Sequence, residues 1–141
     1  MKLMTKLDRR SFYILSFTWG IFLTLCGLLV AGVMVITGHR PKRWKWCIYF
    51  EVGKNWGGME WGPVFLKDRT ESEHIKNHEF GHAIQNCFFG PLMIPLICIP
   101  SSTRYWKRRI QEKRGIKPEN GYDSIWFEGL ATKLGYAYDI K

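Results

Sequence analysis

A chain of 141 residues allows one domain with a modest core and leaves no room for a second. Its net charge of +9 admits nucleic acid as a partner, but the basic residues flank apolar segments and form no stripe with spaced stacking aromatics. Four cysteines with no C-x-x-C pair support neither a zinc knuckle nor a disulfide framework.

Lys2, Lys6, Arg9 and Arg10 precede Phe12 to Thr37, 26 residues without a charged side chain. At about 1.5 Å per residue that run measures about 39 Å, enough for a bilayer core of about 30 Å. It predicts one N-terminal transmembrane helix, dividing the chain into a basic anchor (1–38) and a domain (39–141). A cleaved signal peptide competes with the anchor, but the apolar run is about twice the usual signal length and no small-x-small site follows it. Arg40, Lys42, Arg43 and Lys45, mixed with Trp44 and Trp46, suit a headgroup layer. Basic residues lie on both sides of the span, with a lean toward a cytoplasmic domain.

From Cys47 to Val52 the residues alternate with a period of two, and Asn55-Trp56-Gly57-Gly58 is a turn. Met59 to Leu66 resumes a strand pattern, broken by Gly62-Pro63, so a two-stranded ribbon with Pro63 on an edge strand is expected. Thr70-Glu71-Ser72-Glu73 reads as a capping box, opening a helix from about Glu71 to Phe89 that Gly90 caps and Pro91 stops. Pro91 to Pro100 holds three prolines among apolar residues, which predicts an extended segment, membrane-dipping or buried. Arg104 to Lys117 reads as a helix on a membrane surface, and Pro118-Glu119-Asn120-Gly121 as a loop. A last helix is expected from near Asp123 or Ser124 to about Gly135, with Trp126, Phe127, Leu130 and Leu134 on its apolar side.

The capped helix carries His78-Glu79-Phe80-Gly81-His82, the pattern H-E-x-x-H. Residues four apart share one helix face, so both imidazoles can reach one ion, and neutral imidazole is a good zinc ligand. Glu79, rotated by roughly 100°, falls beside the ion and can accept a proton from water that the metal acidifies. It can then return that proton to a leaving amine. The bland alternative is a pair of surface histidines.

His74 shares the His78/His82 face but lies about 12 Å from His82 along the axis, so it is expected outside the ligand set. A catalytic zinc needs a third protein ligand and an open position. Asp123, Glu128, Asp139, Glu112 and Glu119 are the acids available downstream. Glu128 fits best, because it sits mid-helix between Phe127 and Leu130, where an ionised carboxylate needs a partner.

His78 to Gln85, Gly90-Pro91-Leu92 and Glu128 to Gly135 together resemble a family of small bacterial membrane zincins. Trp56-Gly57-Gly58 and Trp61-Gly62-Pro63 resemble that family's segment before its metal helix, so the likeness runs from Asn55 to Gly135. It is similar in outline to gluzincin metallopeptidases, which pair H-E-x-x-H with a glutamate on a second helix. The resemblance implies that Met59 to Leu66 lines the substrate groove by strand addition. Two features depart from the gluzincin pattern. Thr132 stands where an aspartate often orients a ligand histidine, and 46 positions separate His82 from Glu128.

The expected fold is α+β: one transmembrane helix, then a minimal zincin-like domain of short ribbon, metal helix, membrane-contacting Pro-rich segment and C-terminal helix with the third ligand. The expected function is a membrane-anchored, single-pass, zinc-dependent metallopeptidase with His78, His82 and Glu128 as ligands and Glu79 as catalytic base. Its expected partners are a peptide or protein substrate and membrane lipids, with no nucleic acid. A membrane-bound zinc-binding module without catalysis is the alternative, favoured by Thr132; a basic membrane-surface or nucleic-acid-binding protein with an accidental motif is a third. Tyr122, Tyr136 and Tyr138 are the candidates for stabilising a tetrahedral intermediate.

Overall fold

The long uncharged run is two helices. In the computed structural model, which describes residues 2–70, 72–117 and 125–140, α1 (Arg9–Phe17) and α2 (Ile21–Ile36) meet at 93°. Among the described residues no single helix is long and apolar enough to cross a membrane, which overturns the expected transmembrane helix. The bend has a polar cause. The Thr24 hydroxyl lies 2.6 Å from the Ser16 carbonyl and 2.9 Å from that of Gly20, and the Asn86 amide donates to the Gly20 carbonyl at 3.3 Å. Ser16, Thr24 and Asn86 are all buried, so the break is held from inside.

α1 is part of the core. Phe12 is buried against Trp46 and Phe80 and shares a cluster with Cys47, Tyr49, Phe65 and Leu134. Trp44 and Trp46, both half-buried, pack against protein: Trp46 lies edge-on to Phe80 and Tyr138, and Trp44 Nε1 donates to Asn77 at 3.3 Å. Lys45, at the turn between them, donates to the Gly135 and Tyr138 carbonyls, both at 2.7 Å. It neutralises a helix C-terminus, where a cation is favoured.

Four strands replace the expected ribbon: β1 (Lys42–Trp44), β2 (Cys47–Glu51), β3 (Gly58–Trp61) and β4 (Val64–Lys67), in the order β1-β2-β4-β3. β2 and β4 run parallel, with Ile48 opposite Val64, and the other two pairs are antiparallel. Pro63 occupies the β3–β4 turn and belongs to neither strand; β1 and β3 are the two edges, while β4 is interior.

Helix α3 (Glu73–Phe89) is capped by Ser72, whose hydroxyl accepts from the Ile75 amide at 3.3 Å. The expected Thr70 cap lies two residues too early. Gly90 ends the helix with φ at +56°, the left-handed region where a glycine costs least. The Pro-rich segment is wound, not extended: a 3₁₀ turn (Gly90–Leu92) and a π turn (Ile94–Cys98) lead into α4 (Ile99–Lys113). Each proline falls at the start of its turn, where the missing N–H has no partner to lose. α5 (Trp126–Ala137) packs along α3. The expected 118–121 loop and the expected helix start at Asp123 or Ser124 lie outside the described residues.

Candidate metal centre

Two glycines set the distance between α3 and α5. A Cβ on Gly81 would overlap the carbonyl of Ala131, and one on Gly135 would overlap that of Asn77. Each helix thus presents bare backbone to the other, and the close crossing carries Glu128 over the His78/His82 face.

The result is a buried cluster. Glu128 Oε2 lies 2.9 Å from His78 Nε2 and 3.2 Å from His82 Nε2, and the two Nε2 atoms are 3.2 Å apart. Glu128 is fully buried and both histidines nearly so. Among the described residues this is the one group of three such side chains able to hold a metal ion. Its dimensions suit one: bonds of about 2.0–2.1 Å in a tetrahedron put ligand atoms about 3.3 Å apart. Two imidazoles and a carboxylate form a donor set for a divalent transition metal, and nothing in the structure distinguishes one such metal from another.

Each donor is held from behind. His78 Nδ1 lies 2.9 Å from the Thr132 hydroxyl, one turn along α5 from Glu128. His82 Nδ1 lies 2.7 Å from Gln85 Oε1, and Gln85 Nε2 donates to the Phe127 carbonyl at 2.8 Å. The Ser101 hydroxyl of α4 donates to Glu128 Oε1. Outer partners of this kind fix ligand orientation. Without a metal, burial opposes ionisation of Glu128, yet hydrogen bonds from His78 and His82 outweigh it and hold the carboxyl well below its usual range. Burial likewise opposes protonation of His82, but the hydrogen bond to Glu128 and that residue's charge lift it to about 9.

Glu79 stands next to the cluster. Its carboxylate lies against Gly58 of β3, where an added Cβ would come within 2.8 Å of Oε1. Burial raises its pKa, partly offset by His78 and His82. It lines two cavities. One is an open groove of about 560 Å³ bordered by Trp56, His74, His78, Tyr105, Arg108 and Arg109. The other, of about 120 Å³, holds Glu60, His82 and Ser101.

The remaining expected residues fall elsewhere. His74 is exposed, with its Nδ1 3.2 Å from the Tyr136 hydroxyl. The Tyr138 hydroxyl donates to the Met4 carbonyl in the core, away from the cluster, and Tyr122 lies outside the described residues. Asp139 is exposed, Glu112 is exposed on the border of the open groove, 4.0 Å from Arg109 and outside the donor cluster, and Glu119 and Asp123 lie outside the described residues.

Sequence reasoning missed Glu60, Gln85, Ser101 and Tyr105. Gln85 was within reach, since it sits three residues after His82 on the same helix. Ser101 and Tyr105 were not, because α4 reaches the site only through the two wound turns. No family model, no curated protein and no solved structure matches the chain.

Proposed function

We propose that the chain is a zinc-dependent peptidase that works at a lipid surface. One observation carries the peptidase reading: Glu79, on the metal helix itself, lines an open groove beside three buried, converging donor atoms. A structural metal site has no need of such a neighbour. When bound, a zinc ion at His78, His82 and Glu128 supplies positive charge that polarises a carbonyl and acidifies water. Glu79 takes the proton of the attacking water and delivers it to the leaving amine. Tyr105 borders both cavities that Glu79 lines, which makes its hydroxyl the candidate to meet a developing oxyanion. β3, one of the sheet's two edge strands, has a side that no strand pairs and can take an extended peptide.

The lipid part of the proposal rests on α2. Phe22, Leu25, Leu29, Val33 and Ile36 are all exposed, and Leu92, Leu96 and Ile99 extend the apolar surface. α2 and the Gly90–Leu92 turn pack together, and an apolar patch of this kind seeks lipid or protein.

The test is elemental analysis of the purified chain together with hydrolysis of a peptide library. About one zinc per chain is expected, with cleavage that a chelator abolishes and zinc restores. Glu79→Gln is expected to keep the zinc and lose cleavage. Failure to retain zinc, or cleavage unaffected by Glu79→Gln, overturns the proposal.

A further inference from the structure

Glu60, in the middle of β3, has no role in the metal cluster. It is 8% exposed, and its Oε1 is buried without a hydrogen-bond partner. Burial raises the Glu60 pKa well above the usual carboxylate range, opposed in part by His82 and the Gly62 amide, so a cation beside this unpaired oxygen favours the ionised form. Such an oxygen is costly in an apolar wall and marks a place where a partner binds. Glu60 faces the cavity of about 120 Å³ that also reaches Glu79 and His82. The remaining wall is largely apolar, with Leu23, Met93 and Ile97 prominent.

Charge divides the space around Glu79. On one side Arg108 and Arg109 border the open groove, with Glu112 4.0 Å from Arg109; on the other Glu60 lines the small cavity. A substrate whose reacting bond lies against Glu79 therefore meets a carboxylate one way and guanidinium groups the other. A carboxylate ringed by Leu, Met and Ile fits a cation carried on a short methylene chain or at a chain end. A second metal ion is a poor match, since Glu60 joins no group of three metal-ligating side chains among the described residues.

We propose that Glu60 is a specificity-determining residue that receives a protonated amine of the substrate. This inference rests on the peptidase reading for its chemistry, while the recognition itself is a binding event. The amine belongs to a free peptide N-terminus or to a lysine side chain, two sources of one chemistry.

The experiment uses the zinc-loaded full chain and two peptide pairs: one with a free or acetylated N-terminus, one with lysine or norleucine beside the cleaved bond. Each is assayed for kcat/KM and, by calorimetry, for affinity. The wild type is expected to favour the amine-bearing member of one pair by about tenfold or more, and the pair that responds identifies the source. Glu60→Gln is expected to bring that ratio to about one with zinc content and circular dichroism unchanged. Glu60→Asp, which keeps the charge, is expected to retain part of it. Equal rates and affinities within both pairs, or a preference that survives Glu60→Gln, overturn the inference. If Glu60→Gln fails to fold, the wild-type ratios and Glu60→Asp decide. Selective amine binding without cleavage would sink the peptidase reading and leave Glu60 standing; cleavage without selectivity would do the reverse.

Discussion

Gln85 Oε1 lies 2.7 Å from Nδ1 of His82. The orientation of the amide is settled by its other end, which donates to the Phe127 carbonyl at 2.8 Å and so turns the oxygen toward the ring. His82 Nδ1 must then be the donor, leaving Nε2 free for a metal. Gln85→Leu, close in volume, removes both hydrogen bonds. It is expected to weaken zinc affinity by about 10–100-fold, read by competition with a chromophoric chelator. An affinity equal to wild type would show that packing alone orients the ring.

The contact of Gly81 with Ala131 makes the site sensitive to a single methyl group. Gly81→Ala forces α3 and α5 apart, because the new Cβ meets backbone that cannot rotate away. Overpacking of this sort costs about 1–3 kcal/mol, and here it also withdraws Glu128 from the histidines. Both urea stability and zinc affinity are expected to fall. Gly32→Ala on α2 is the control, since nothing lies within 4 Å of its added Cβ. That change is expected to be neutral or to stabilise by up to about 1 kcal/mol.

The cluster was legible in the sequence, whereas its surroundings were only partly so. His78 and His82 follow from helical spacing, and Glu128 from the cost of an acid mid-helix between apolar neighbours. The same logic failed for Phe12 to Thr37, because absence of charge does not distinguish a lipid-facing helix from a core one. Ser16 and Thr24 look unremarkable in an uncharged run, and only the fold turns them into the inside of a 93° bend. Glu60 was hidden for a related reason. A glutamate between Met59 and Trp61 in a short strand reads as a solvent-facing position until the strand is known to lie against α3.

Asp68 gives the fold an acid limit. Its Oδ2 accepts from the Trp56 and Gly57 amides at 3.1 and 2.9 Å, and its Oδ1 from the Thr70 amide at 3.0 Å. Burial works against the charge, but these hydrogen bonds outweigh it and lower the pKa below the ordinary aspartate value. A depressed folded pKa stabilises above the unfolded value of about 3.9, and that stability is lost as pH falls through the folded value. Asp68→Asn is therefore expected to cost about 1.5–3 kcal/mol at neutral pH and to respond less to acid than wild type. Urea midpoints for the two proteins should draw together as pH falls below the unfolded value of about 3.9. Parallel midpoints across the whole range would remove Asp68 from the acid response.

Membrane attachment can be separated from membrane crossing. α2 has 16 residues, about 24 Å at the usual helical rise and short of a bilayer core of about 30 Å. Its buried side is committed to protein: Leu23 packs with Met93 and Phe127, and Met34 with Phe50 and Val64. What remains for lipid is a face, not a span. The full chain is expected to float with phospholipid vesicles, more strongly when they are anionic, because Arg40, Lys42 and Arg43 are exposed at the end of the same helix. Leu25 and Leu29 are exposed on that face, so the double substitution Leu25→Asp and Leu29→Asp leaves the core intact. It is expected to lower vesicle binding by about tenfold or more without changing zinc content. Wild-type chain that stays with the aqueous fraction at every lipid composition would leave the apolar face to a protein partner. Loss of zinc in the double variant would instead mean that α2 braces the metal helix through Asn86 and the bend at Gly20.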